Sequence, residues 1–342
     1  LNLGKHSSFW ENQTDCASTT SRNSSVSLKT ARQPTYAFFN FIFMVIVMLT
    51  VCGNLAVIIS VSHFKQLHIP SNFLVLSLAM ADFLIGIIVM SLIMVQSIRI
   101  CWCFSDVFCL IFSFTDVFLM SVSIHNLMLI AVDCYIAVCA PFLFSNKMTI
   151  QVTSVLISLN WIISLIYTLL IIYYKENVGQ NYLDPCPGDC VLVSNSTCAI
   201  VDLIYSFLLP VSVMITLYAK IFLIAKRHAR AISTQQKNSV EKNKNISKKS
   251  ERKAAKTLGI VVTVFFLCWL PFYVCSLLNQ FMNFAVSSVV SWACLWIGYI
   301  NSGLNPIIYA LFYPWFRKSF KLLITCKICN AGSSLISLMN VH

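Results

Sequence analysis

A chain of 342 residues that is 58% hydrophobic and 11% charged is not a water-soluble domain, in which Asp, Glu, Lys and Arg make up about a quarter of the residues. Its apolar residues fall into seven stretches, each near the ~20 residues that a bilayer crossing needs, and none alternates as the strands of a membrane β-barrel would. The expected fold is an all-α membrane protein, a seven-transmembrane helix bundle with a short amphipathic eighth helix, and the formal charge of +12 reads as a topology signal with no nucleic-acid partner implied.

In chain order, residues 1–34 form a polar extracellular N-terminal tail, residues 35–312 the bundle, and residues 313–342 an amphipathic helix and cytoplasmic tail. The spans are expected at 35–62, 72–98, 109–132, 150–174, 199–225, 257–280 and 287–312. Lys and Arg set orientation, and 18 of the 24 lie on one side: Lys65, Lys147, twelve from Lys220 to Lys256, and Arg317, Lys318, Lys321 and Lys327. That side is the cytoplasm, so the expected location is the plasma membrane, with the N-terminus outside and the C-terminus inside. The sequons at Asn12, Asn23 and Asn195 then face outward, where glycosylation occurs. Cys16, Cys101, Cys103, Cys109, Cys186, Cys190 and Cys198 also face outward, and spacing alone does not pair them. The remaining cysteines, Cys275 and Cys294 among them, are intramembrane or cytoplasmic and expected to be reduced.

Ionisable groups inside a spanning helix are costly and mark function by default. Asp82 in the second span lies level with Asn54, Ser123, Asn301 and Asn305. Those groups suit either a hydrated Na+ ion or a shared water network, with no other cofactor and no structural metal expected. Asp116 lies two turns below Cys109 in the third span, where a carboxylate open to the outside is a counter-ion for a cation. Asp202 lies eight residues before Pro210 in the fifth span, in the same outer third. Two such carboxylates repel one another, and a ligand with two ammonium groups relieves both; the alternative is a loop or water partner for Asp202. Trp269, Phe272, Tyr273, Trp296 and Tyr299 cluster in the outer halves of the sixth and seventh spans. They serve either as a cage for a cation or as ordinary packing. Pro271 and Pro306 predict kinks. Beyond the seventh span, Phe316, Phe320 and Leu323 alternate with Arg317, Lys318 and Lys321, a pattern for an interfacial helix on which Cys326 and Cys329 are candidates for palmitate.

Over nearly its whole length the chain resembles the rhodopsin class of G-protein-coupled receptors. The marks are Gly53-Asn54, Leu78-Ala-Met-Ala-Asp82, Asp133-Cys134-Tyr135, Trp161, Pro210 with Tyr218, Cys268-Trp-Leu-Pro271 and Asn305-Pro-Ile-Ile-Tyr309. Within that class, the run from Asn301 to Phe316 is similar to the trace amine-associated receptors. The resemblance implies a chemosensory (olfactory) receptor that takes a small amine or diamine and couples to a stimulatory heterotrimeric G protein. It implies that Asp116 pairs with the ligand ammonium, with Met120, Trp269 and Tyr299 around it. Ile124, Pro210 and Phe265 are implied as the connector to the cytoplasmic switch residues Asp133, Cys134, Tyr135, Tyr218, Glu251 and Tyr309. Disulfides Cys109–Cys190 and Cys16–Cys186 are implied as well. One departure matters: the family carries Arg where this chain has Cys134, and a thiol supplies neither the charge nor the fork of donors.

Two functional readings are open, a signalling amine receptor and an amine-binding decoy or decaying gene product that couples poorly. A secondary transporter predicts inverted repeats and broken helices, which the sequence lacks. An enzyme is not expected, since no nucleophile–base pair or metal-ligand cluster occurs at helical spacing.

Overall fold

The computed structural model describes residues 34–98, 106–140, 144, 147–179, 196–235, 242–281, 286–330, 332–336 and 338. Within the described residues the regular structure is helical throughout. The first span is α1 (Pro34–His63), and the second is α2 (Pro70–Leu84), a π-helical turn (Ile85–Met90) and α3 (Ser91–Ile98). The third and fourth are α4 (Asp106–Cys139) and α5 (Ile150–Gly179). The fifth is α6 (Ser196–Leu203), a second π turn (Ile204–Leu208) and α7 (Leu209–Gln235). The sixth and seventh are α8 (Lys242–Phe281) and α9 (Ser288–Phe312), and the short α10 (Pro314–Ile324) comes after them. Helices are the natural choice because a bilayer offers the backbone no hydrogen-bond partners, so each segment must satisfy its own.

Among the described residues, six stretches, the first being Phe38–His63 and the last Gly259–Phe281, are long and apolar enough to cross a membrane. The seventh span, α9, is less apolar because it carries Asn301, Ser302, Asn305 and Pro306, and three of these polar side chains, Asn301, Ser302 and Asn305, are buried inside the bundle. Large apolar side chains such as Met48, Ile163, Leu170, Ile215, Leu267 and Leu311 point outward, where lipid rather than water is the matching solvent. Close approach of the first and seventh spans depends on Gly53: a Cβ there would stand 2.9 Å from the ring of Pro306.

The helices outrun the apolar stretches that announce them. The third extends to Cys139, past the expected 132, and the sixth begins at Lys242, fifteen residues before the expected 257. Helix propagation adds one hydrogen bond per residue once nucleated, and the polar flanks of these spans contain no Pro or run of Gly to stop it.

At one end of the bundle, Trp315 and Phe316 of α10 share a buried cluster with Val57 and Val61 of α1 and with Phe64 and Leu67 just after it. The helix ends where Cys326 adopts a left-handed conformation, φ 53°, and the chain folds back instead of trailing away. Leu338 is buried in the same cluster, and its N–H donates to Gln66 Oε1 at 3.0 Å. Ser333 adds a contact with His63 at 2.9 Å.

Candidate functional site

At the end of the bundle away from the basic flanks, the Tyr299 hydroxyl donates to Asp116 Oδ1 at 2.8 Å. This joins the third and seventh spans at the carboxylate. Tyr299 is 1% exposed and lies edge-on to both Trp269 and Trp296, with ring centres 6.4 Å away in each case. Trp296 in turn stacks on Phe43 of the first span at 4.0 Å. Met120, one turn inward from Asp116, packs against the clusters on either side.

Asp202 is held from its own side of the bundle. Its Oδ1 accepts hydrogen bonds from Tyr167 Oη at 2.6 Å and Ser206 Oγ at 3.0 Å. Tyr167 stacks on Tyr205 at 3.9 Å, which fixes its ring. Asp202 lines a cleft of about 140 Å³ with Phe272, Tyr273, Ser276 and Gln280. Tyr273 lies 6.3 Å from Trp269, so a row of rings, Tyr273, Trp269 and Tyr299, leads from the Asp202 side to the Asp116 side. Phe272 meets Trp269 edge-on at 5.9 Å. Sequence reasoning missed Tyr167 and Ser206. Ser206 was findable, since i and i+4 share a helix face, but Tyr167 comes from another helix and carries no local signal.

Asp82, deeper in the bundle, is fully buried. Ser123 Oγ donates to its Oδ1 and Asn305 Nδ2 to its Oδ2, both at 2.7 Å. Ser302 also reaches this carboxylate, where the sequence pointed to its neighbour Asn301 instead. Asn301 is buried, while the Asn54 amide donates to the backbone carbonyls of Thr50 and Ser302 at 2.9 and 3.1 Å. Asn54 therefore ties the first span to the seventh and supports Ser302 from behind.

Between the two levels, Ile124, Phe265 and Trp269 belong to one buried cluster with Phe207, Val211 and Met214. Pro210 is also buried. Any displacement of Trp269 therefore meets the third and fifth spans through side chains already in contact, because packed interiors transmit strain.

The basic end of the bundle is built differently. Cys134 is half-buried, packed with Tyr135, Val138 and Cys139 at the edge of that same cluster. Asp133 is buried, and its Oδ1 has no hydrogen-bond partner among the described residues. Tyr313, just past the seventh span, has its hydroxyl pushed up to about 12, first by burial and then by the nearby Cys134 and Asp133. Lys220 lies 5.9 Å over the Tyr135 ring, a weak attraction of cation and ring face. Tyr218 packs so tightly on the sixth span that a Cβ at Gly259 would come within 2.6 Å of its ring. Tyr309 is buried between Tyr313 and Phe316. Glu251 lies on α8, and its side chain falls outside the described residues.

Cys109 is disulfide-bonded, with its partner outside the described residues. Cys16, Cys186 and Cys190 and the sequon residues Asn12, Asn23 and Asn195 also lie outside them.

Residues 53–309 match the model of the 7 transmembrane receptor (rhodopsin family). The chain is 43% identical over 296 residues to trace amine-associated receptor 13c of Danio rerio, covering 85% of this chain and 87% of that receptor. It is 44% identical over 301 residues to trace amine-associated receptor 8a of Rattus norvegicus, with the same two coverages. With trace amine-associated receptor 7b of the same rat it shares 43% identity over 310 residues, 89% of this chain and 85% of the relative. These matches and the all-helical bundle show that the chain belongs to the trace amine-associated receptors, within the rhodopsin family of G-protein-coupled, membrane-spanning receptors.

Proposed function

We propose that this receptor binds a small diamine at its outer end, with Asp116 and Asp202 each receiving one ammonium group. The observation that carries the reading is the pair of carboxylates, each positioned by a tyrosine from another span and connected by the rings of Tyr273, Trp269 and Tyr299. Ring faces attract cations and tolerate methylenes, which suits a ligand charged at both ends and apolar between. The N-terminus is external on the Lys and Arg distribution, which opens this end to the outside. Cys109–Cys190 and Cys16–Cys186 would fold the loop before the fifth span over the site. A hard monovalent cation such as Na+ fits the oxygens of Asp82, Ser123 and Ser302 beneath it. Family membership supports a stimulatory G protein as the partner at the cytoplasmic end.

The test is cyclic AMP production in cells given a panel of mono- and diamines, with Cys134→Arg as the coupling-competent background. Removing one partner of a buried charge pair costs about 2–5 kcal/mol. Asp202→Ala is therefore expected to weaken a diamine such as cadaverine or putrescine by more than about tenfold while sparing a monoamine of similar bulk. Equal losses for the two ligand types would count decisively against the diamine reading.

A second reading, amine binding with poor coupling, is favoured by the cytoplasmic end: Cys134 brings no charge, and the buried Oδ1 of Asp133 has no hydrogen-bond partner among the described residues. A weak native response that Cys134→Arg restores would establish this reading, and a full native response would reject it.

A further inference from the structure

Two thiols from different spans meet in the outer half of the bundle: Cys275 Sγ and Cys294 Sγ are 3.5 Å apart. Cys275 lies four residues beyond Pro271 on α8, and Cys294 five residues before Tyr299 on α9. Both are thiols in this structure, Cys275 half-buried and Cys294 buried. We propose that Cys275 and Cys294 are a dithiol that oxidises to a disulfide linking the outer halves of the sixth and seventh spans.

The geometry favours closure over inertness. A disulfide needs its sulfurs at about 2.0 Å, so about 1.5 Å must be taken up, within reach of side-chain rotation without moving either helix by a turn. The helices are held side by side at this level by other contacts. A Cβ at Gly298, one turn below Cys294, would stand 2.9 Å from Trp269, so neither helix can drift from the other without losing that packing. The difference in exposure gives the reaction an order. A low-molecular-weight disulfide such as oxidised glutathione is attacked by the Cys275 thiolate, which forms a mixed disulfide and releases one reduced glutathione. The Cys294 thiolate then attacks the Cys275 sulfur and expels the second. Two protons leave the protein thiols, two electrons pass to the oxidant, and one glutathione disulfide becomes two thiols. Exchange of this kind needs an accessible first thiol and a second one placed to resolve it.

The consequence for ligand rests on the amine-site reading above; the linkage itself does not. Trp269 and Phe272 on one helix and Trp296 and Tyr299 on the other lie within two turns of the joined positions, so the linked form fixes the aromatic wall and makes amine affinity depend on redox state.

The test uses the full-length receptor in lipid nanodiscs, treated with oxidised glutathione, blocked with N-ethylmaleimide and mapped by mass spectrometry without reduction. A linked pair of fragments carrying Cys275 and Cys294 is expected, lost on reduction and absent in Cys294→Ser, where Cys275 instead holds glutathione. Recovery of both residues as maleimide adducts, or of Cys275–glutathione alone in the native chain, would overturn the proposal. Cys275→Ala, which removes the first thiol, is the control if the serine variant misfolds, and no linked pair of fragments is expected from it. In a second arm, amine affinity that is equal in the linked and reduced forms refutes the consequence for the pocket and leaves the linkage established.

Discussion

The two ends of the bundle treat their carboxylates in opposite ways. At the end away from the basic flanks Asp202 accepts from two hydroxyls and Asp116 from Tyr299, so each is held in place by its neighbours. At the basic end Asp133 is buried with Oδ1 unsatisfied among the described residues, beside a thiol in place of the expected guanidinium. Buried polar groups are nearly always hydrogen-bonded, and with Ser71 reaching this carboxyl its Oδ1 is left able to accept one donor more. In the reading proposed above, the ligand end is a finished site and the coupling end lacks a part.

The largest expected effect tests the finished end. Asp116→Asn keeps an acceptor for Tyr299 but removes the charge, and the loss of about 2–5 kcal/mol should weaken every amine, mono- or diamine, by roughly thirtyfold to more than a thousandfold. An unchanged dose–response for both ligand types would show that the amine lies elsewhere. Next comes the unfinished end. Cys134→Arg supplies donors where Asp133 needs one, and position 134 lies roughly 27 Å from Asp116 along the helix at ~1.5 Å per residue. Cyclic AMP output should rise severalfold while amine affinity, measured by competition binding, stays within about twofold, about 0.4 kcal/mol. A native chain that already signals as strongly as the variant would remove the contrast between the ends.

A smaller effect separates packing from charge at the same end. Gly259→Leu pushes a side chain into the Tyr218 ring, and overpacking costs about 1–3 kcal/mol. The thermal midpoint in detergent should fall, with amine affinity at the far end nearly unchanged. The smallest effect concerns the folded-back tail. Leu338→Asp buries a charge among Phe64, Leu67 and Trp315, so the tail should release and become a faster substrate for limited proteolysis, while the bundle's thermal midpoint hardly moves. Equal cleavage rates for the native and variant tails would show that Leu338 does not hold it down.

What the sequence by itself determined is the part governed by local composition. Apolar runs placed the spans, the basic residues gave the orientation to be tested, and the rarity of intramembrane charge singled out Asp82, Asp116 and Asp202 without knowledge of any neighbour. Tertiary structure decided which groups meet, because that depends on the faces that packed helices turn to one another. Asp202 sits two residues before a π turn, whose extra residue per turn rotates the rest of the helix; the even count of turns from Pro210 could not include it. Tyr167, 35 positions away in the chain, reaches that carboxylate only through helix packing. The same holds for Ser302 beside Asp82, for Cys275 against Cys294, and for Leu338 under α10. In each case the partners are polar, small or singly apolar residues whose pairing is set by a crossing of helices far apart in sequence, and no local periodicity records such a crossing.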